Sequence, residues 1–320
     1  MRVISTAESF CTGFLESLPA DGFICISKEM LDDSNAAKDH MDEVKRRLQA
    51  ILNPEHPATP PAEFVMPLGM HDFVAPIQDL ISLLNEIRIV LKQNRSRPMK
   101  LFWCTPESVF LFEERWEKLF HDLCGTFLHN LDVERSLFEP SKISELYDSL
   151  KFDLLHNRAY ISHVFESGSD RDFVRELYRK SKEIFDIIGP HEYGIENSEK
   201  LLIGIRNTAP LLKQILCDMD EAVSSSNART RLYFTKESKV YCILNALLLC
   251  GLKTKIVPTD IPELDYLTQI TFELYERIDP IDTKTREYSL RIGLSHGAHD
   301  SNLIDLQLTK DHSISVAPRR

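Results

Sequence analysis

The stretch Arg229-Thr-Arg-Leu-Tyr-Phe-Thr-Lys-Glu-Ser-Lys-Val-Tyr-Cys-Ile-Leu-Asn245 constrains this chain more than any other. Leu232-Tyr-Phe-Thr235 is rich in aromatic and β-type residues and reads as a short strand. Thr235 can cap a helix directly after it. Val240, Ile243, Leu244 and Leu247 recur at helical spacing, and Gly251 is a stop signal. The pattern is a strand running straight into a helix start. In open α/β sheets the crevice beyond the strand ends is the usual ligand site. Backbone N–H groups at such a helix start favour anions. Arg231, Ser238 and Lys239 are therefore the candidate phosphate-binding residues.

The rest of the composition bounds the partners. A chain of 320 residues with a net charge of −11 lacks the general basic face that nucleic acid requires, though it can hold a local basic pocket for a small anion. Seven cysteines, an odd number at irregular spacings and without CxxC, predict reduced thiols and a cytoplasmic location. No apolar run is long enough to span a membrane.

Taken in order, Arg2-Val-Ile-Ser-Thr6 predicts a strand and Ala7 to Leu18 a helix. Ser34 or Asn35 can cap a helix reaching Leu52, with Met41, Val44, Leu48, Ile51 and Leu52 as its stripe. The proline-rich segment from Asn53 to Pro67 is a loop. Helices follow over Ile77 to Leu91, Pro140 to Leu155 (Ser141 as its cap; Ile143, Leu146, Tyr147, Leu150 and Leu154 as its stripe), Phe173 to Ile188 and Leu211 to Val223. Glu263 to Glu276 reads as an amphipathic helix through Leu264, Leu267, Thr271 and Leu274. Tyr288 to Ser295 alternates as a strand should.

Several of these blocks carry a resemblance. Thr230-Arg-Leu-Tyr-Phe-Thr-Lys-Glu-Ser-Lys239 resembles the distal motif T-R-L-Y-F-T-S-E-S-H of the phosphatase domain in bifunctional diphosphoinositol pentakisphosphate kinase/phosphatases, a branch of the histidine acid phosphatases. Arg2-Val-Ile-Ser-Thr-Ala-Glu8, Leu31 to Lys38, Glu113 to Phe120, Pro140 to Arg158, Glu263 to Glu276 and the tail from Leu303 are similar to further blocks of that family, in the same order. The resemblance implies an α/β, helix-rich (α+β-like) fold. It would be a partial histidine-phosphatase (phosphoglycerate mutase-like) core, residues 1–33 and 227–320, with a helical insert at about 34–226. Strands Val3–Ser5, Leu232–Thr235 and Ser289–Gly293 should then share one sheet.

The resemblance also marks what differs. Histidine acid phosphatases attack phosphorus with the histidine of an R-H-x-x-R-x-P motif, spread the charge over arginines, and use a distal histidine or acid for proton transfer. The chain contains no Arg-His pair. Glu8 is followed by Ser9, Phe10 and Cys11 where the family has an arginine, and Lys239 stands where it has the second catalytic histidine. An ordinary lysine stays protonated near pH 7 and releases a proton poorly. No catalytic residue is therefore assigned, and an incomplete sheet predicts self-association. No cofactor is expected in this chain: ATP and Mg would belong to the family's ATP-grasp kinase domain, which lies further upstream. The ligand implied is an inositol polyphosphate. The rival expectation is a C-terminal piece of an active bifunctional enzyme.

Other constellations read as structural. His296-Gly-Ala-His299 has metal-like spacing but no third ligand and a glycine that argues against a helix, so it is a loop. The pairs His71-Asp72, His121-Asp122 and His299-Asp300 do not follow the right strand. Cys242 and Cys250 lie on an apolar helix and belong to a core.

Overall fold

The computed structural model describes residues 2–15, 24–27, 30, 36–53, 57–67, 69–96, 108–124, 139–168, 170–225, 228–257, 261, 263–278, 286–298 and 303–305. These fall into two compact units. One comprises Met1–Met41 and Glu196–His299, the other Asp42–Ile195 and Asp300–Arg320.

The second unit is helical. It holds most of α2 (Lys38–Ile51), then α3 (Val74–Asn94), α4 (Val109–Cys124), α5 (Ser141–His156), α6 (Arg158–Val164) and α7 (Phe173–Ile188). Apolar residues at three- and four-residue spacing give each helix one inward stripe, which only a neighbouring helix can cover. Val44, Leu48 and Ile51 of α2 are buried, as are Ile77, Leu80, Leu84, Ile87 and Leu91 of α3. So are Ile143, Leu146, Tyr147, Leu150 and Leu154 of α5. Each fully buried side chain of this size contributes roughly 1.5–3 kcal/mol. Aromatic rings fill the centre: Trp116 meets Phe165 edge-on at 4.9 Å, Phe112 meets Tyr160 edge-on at 4.9 Å, and Tyr147 stacks on Phe185 at 4.6 Å. The fully buried carboxylate of Asp153 is met by Trp116 Nε1 at 2.7 Å, Arg115 Nη2 at 2.6 Å and Asn157 Nδ2 at 2.7 Å. Those donors are what a carboxylate in a core requires.

The first unit contains α1 (Arg2–Leu15), α8 (Asn197–Ser224), α9 (Glu237–Leu249) and a hairpin of β1 (Gln269–Ile278) and β2 (Arg286–Ser295). α8 starts with a reciprocal cap, Glu196 N–H donating to Glu199 Oε2 at 3.2 Å. It packs on α9 at Gly204, where a Cβ would lie 2.7 Å from Cys242 O and 3.1 Å from Ala246 N. β1 and β2 pair antiparallel, with Glu273 opposite Arg291 and Leu274 opposite Leu290.

The helix-rich α/β class stands, but several local expectations do not. Arg2 to Thr6 is helix, the first turns of α1. A strand needs a neighbour for its backbone groups, whereas a helix satisfies them internally, and Ala7 and Cys11, four residues apart, are the buried face. Leu232–Thr235 has no regular structure. The three-stranded sheet is therefore overturned: of its members only Ser289–Gly293 is a strand, and its partner is β1. β1 itself replaces the C-terminal part of the helix expected over Glu263 to Glu276. Leu267 has φ of 65°, which breaks a right-handed helix, and Ile270, Phe272 and Leu274 then alternate with polar neighbours. The helix expected from Leu211 begins at Asn197 and runs through Pro210. Ser141 does not cap α5. Its Oγ donates to Glu139 Oε1 at 2.8 Å, and Pro140 holds the cap position. Ser34 and Asn35 lie outside the described residues.

Candidate functional site

Of the sequence candidates, Ser238 and Lys239 lie in the first turn of α9, and Arg231 lies in the segment before it. The cap residue of α9 is Lys236, with extended backbone (φ −82°, ψ 155°) and no side-chain cap bond. Thr235 is not the cap. Its Oγ1 is buried with no hydrogen-bond partner among the described residues. Glu237 occupies the first turn, where its charge complements the helix dipole and competes with any incoming anion. Ser238, next in that turn, is half-buried.

Lys239 is buried, at 6% exposure. Its Nζ donates to the backbone carbonyl of Asn207 on α8. Asn207 also reaches Cys242, Nδ2 to Sγ, at 3.5 Å. Cys242 is fully buried and its thiol is pushed up by burial, so it is no thiolate nucleophile. The ammonium is thus fixed between two helices as a point charge.

Arg231 is placed differently. Its Nη2 lies 3.1 Å from Glu221 Oε2 and its Nε 3.7 Å from Asp218 Oδ2, both on the last turns of α8. Arg229 pairs with the same Glu221, and Tyr233 Oη donates to Asp218. Burial first, and then Asp218, push the Tyr233 hydroxyl up to about 12. Arg229 first, then Arg231, hold Glu221 below the usual carboxylate range. Residues 229–233 are therefore tied along α8 by side chains in place of a strand ladder. Phe234 closes the segment against Phe10 of α1, ring centroids 5.5 Å apart. Arg231 and Lys239 are held against different stretches of α8, each already engaged: Arg231 by the carboxylates of Asp218 and Glu221, Lys239 by the carbonyl of Asn207.

The remaining sequence candidates have structural roles. Asp72 Oδ1 accepts from Val74 N–H at 2.9 Å, at the start of α3. The carbonyl of His296 accepts from Asp265 N–H and Thr268 Oγ1 in the approach to the hairpin; His299 lies outside the described residues. No cluster of three metal-ligating side chains occurs among the described residues. No helix among them is long and apolar enough to cross a membrane.

Sequence reasoning missed an open concavity of about 740 Å³ in the second unit, lined by Met70, His71, Arg175, Arg179 and Lys182 among others. Its cations are balanced along α7: Arg179 by Glu183 at 3.9 Å and Lys182 by Asp186 at 2.8 Å. The i,i+4 charge spacing was visible in the sequence, but only the approach of the segment around Met70 makes a cleft of it.

The comparison with known proteins decides the family. The model of the histidine phosphatase superfamily (branch 2) matches residues 1–295. The chain belongs to that superfamily. Among curated proteins it is similar to the inositol hexakisphosphate and diphosphoinositol-pentakisphosphate kinase of Saccharomyces cerevisiae, 32% identical over 99% of this chain and 34% of that protein. It is also similar to the human kinase 2 of the same description, 28% identical over 94% of this chain and 27% of that protein. The Arabidopsis thaliana relative VIP1 is 24% identical over 62% of this chain and 25% of that protein. This histidine phosphatase domain spans about a third or less of the curated relatives it matches. The yeast alignment runs over 398 positions against a chain of 320, so that relative carries internal segments with no counterpart here. No solved structure matches.

Proposed function

We propose that this histidine phosphatase domain binds inositol polyphosphate without turning it over. The observation that carries the reading is Lys239. It occupies the position of the distal histidine in the T-R-L-Y-F-T-S-E-S-H pattern, it is buried, and its Nζ is committed to the Asn207 carbonyl. An ammonium bound to a carbonyl can attract phosphate as a point charge, and it lacks the imidazole that the family's distal position supplies for proton transfer. Arg231, Ser238 and the first turn of α9 would supply the other contacts. Arg231 is shared with Glu221 and Asp218, so binding is weak and salt-sensitive. The relatives' names place inositol hexakisphosphate and diphosphoinositol pentakisphosphate first among ligands to try. The division into a core of 1–33 and 227–320 with an insert at 34–226, a cytoplasmic location and self-association belong to the same proposal.

Calorimetric titration of inositol hexakisphosphate into the chain tests it, beside a phosphate-release assay on a diphosphoinositol polyphosphate. Binding should weaken with salt and fall in Arg231→Ala and Lys239→Met, with no release above a no-enzyme control. Release that disappears on mutating a named residue would overturn the reading.

A second reading has its own support. Nearly the whole chain aligns within one third of the yeast kinase. This favours a C-terminal piece of an active bifunctional kinase/phosphatase. Genomic sequence encoding R-H-x-x-R-T-P and an ATP-grasp domain in frame before Met1 would select it.

A further inference from the structure

From the outer edge of β2 we infer that two copies of this chain pair there, β2 against β2 about a two-fold axis, to make a four-stranded antiparallel sheet. This names a surface for the self-association proposed above and stands independently of polyphosphate binding. Among the described residues the sheet has two strands, and none of them pairs with the outer side of β2. Unpaired edge N–H and C=O groups are a template for another strand.

The sequence of β2 selects a second copy as that strand, and selects the register. A two-fold axis perpendicular to the sheet keeps each face on the same side, so paired residues must have equal parity. Centred on Ser289, the pairing sets Glu287 opposite Arg291 of the other copy, twice. It also extends rows already present. Arg291 lies opposite Glu273 within the hairpin, with Nη1 and Oε2 3.5 Å apart, and Glu287 opposite Arg277 at 3.9 Å. Each row across four strands then reads Glu273, Arg291, Glu287, Arg277, alternating in sign from strand to strand. Shifting the centre by one residue breaks that alternation.

The other face agrees. Ile270, Phe272 and Leu274 share it with Leu290, Ile292 and Leu294. On β1 Phe272 and Leu274 are half-buried, whereas on β2 Leu290 is 46% and Ile292 40% exposed. In the same register Tyr288 falls opposite Leu290 of the second copy, a favourable aromatic–aliphatic pair. β1 is the poorer edge. Self-pairing about Tyr275 would set Glu276 against Leu274 on the apolar face, and Glu276 is held by Arg286 at 2.6 Å and Tyr288 at 3.2 Å.

Sedimentation velocity over a dilution series tests the proposal on the whole chain, with Glu287→Arg, Arg291→Glu and their equimolar mixture. Wild type should show a monomer–dimer equilibrium. Each reversal acts twice in the symmetric pair and should weaken it by about tenfold. The mixture should recover it, because the arginine introduced in one variant then faces the glutamate introduced in the other. Wild type that stays monomeric, reversals that associate like wild type, or a mixture that fails to recover would each overturn it. A second measurement is independent of charge. Ser289→Cys, in a background with exposed Cys25, Cys217 and Cys250 replaced by Ser, should cross-link to itself on mild oxidation, while Tyr275→Cys on β1 should not. The reverse pattern sinks the proposal.

Discussion

Lys239 and Arg231 illustrate two ways of holding a positive charge, and they predict opposite responses to mutation. The Lys239 ammonium is buried between α8 and α9, where the Asn207 carbonyl orients it. In Lys239→His a ring N–H would take that carbonyl, and nothing in the sequence would match the attacking group. Phosphate release should stay at the no-enzyme level in that variant. Arg231 is on the surface and shared with Glu221. Glu221→Gln removes a competitor for an incoming phosphate, so inositol hexakisphosphate affinity should rise roughly two- to five-fold at low salt and the gain should fade as salt is added. A fall would place Arg231 outside the anion site. Glu192, in the second unit, gives the pH prediction. Burial raises its folded-state pKa above the ordinary 4.5, against the hydroxyl of Ser144 at 2.5 Å, and Asp148 raises it further. A raised folded pKa means that the group's stabilising contribution is complete below about 4.5 and is lost as pH rises through the folded value. Glu192→Gln should therefore gain stability over wild type at neutral pH, with the gain shrinking in acid. Urea midpoints measured across that pH range decide it.

At the scale of elements the crossing of α8 and α9 is the most demanding contact. Gly204 lets the two backbones approach, and a Cβ there meets Cys242 O at 2.7 Å, a backbone atom that cannot rotate away. Gly204→Ala should cost about 1–3 kcal/mol of stability, read as a lower Tm, despite alanine's better helix propensity. A stabilised variant would mean the helices separate freely. This contact was invisible in the sequence, where Gly204 is one small residue in an ordinary helical run. The helices of the second unit were legible because their stripes are long: α7 matches Phe173 to Ile188, and the expected faces of α3 and α5 are the buried ones. The short elements were not. Val3 and Ile4 favour a strand only where a partner strand is present, and Leu232 to Thr235 spends its side chains on α8 instead. In Glu263 to Glu276 the helical spacing of Leu264, Leu267, Thr271 and Leu274 competes with the alternation of Ile270, Phe272 and Leu274, and the left-handed Leu267 decides between them. Of the candidate site, the residues themselves were legible. Of their partners, Asn207 lies on the half of α8 that was not expected, whereas Asp218 and Glu221 lie within the expected Leu211 to Val223, and only the folded chain brings residues 229–233 alongside them.

For the whole molecule, the two units should differ in stability. In the second, α3 to α7 bury large side chains from every helix: Leu80 of α3, Trp116 of α4, Tyr147 of α5, Ile161 of α6 and Ile184 of α7 are under 2% exposed. In the first, α1 buries the small Ala7 and Cys11, and the larger buried side chains named for its helices are aliphatic, Ile203 and Leu211 on α8 and Ile243 and Leu244 on α9, while β2 leaves Tyr288, Leu290 and Ile292 over a third exposed. Local opening free energies follow buried apolar contact and the exposure of backbone bonds. A two-stranded ribbon is marginal by itself. Native-state hydrogen exchange should thus show the slowest amides in α3, α5 and α7, with β1 and β2 exchanging orders of magnitude faster in dilute protein. Protection in β2 should rise with protein concentration if copies pair there, because dimerisation stabilises by mass action. Uniform protection across both units at every concentration would show that the hairpin is held by more than its own ladder.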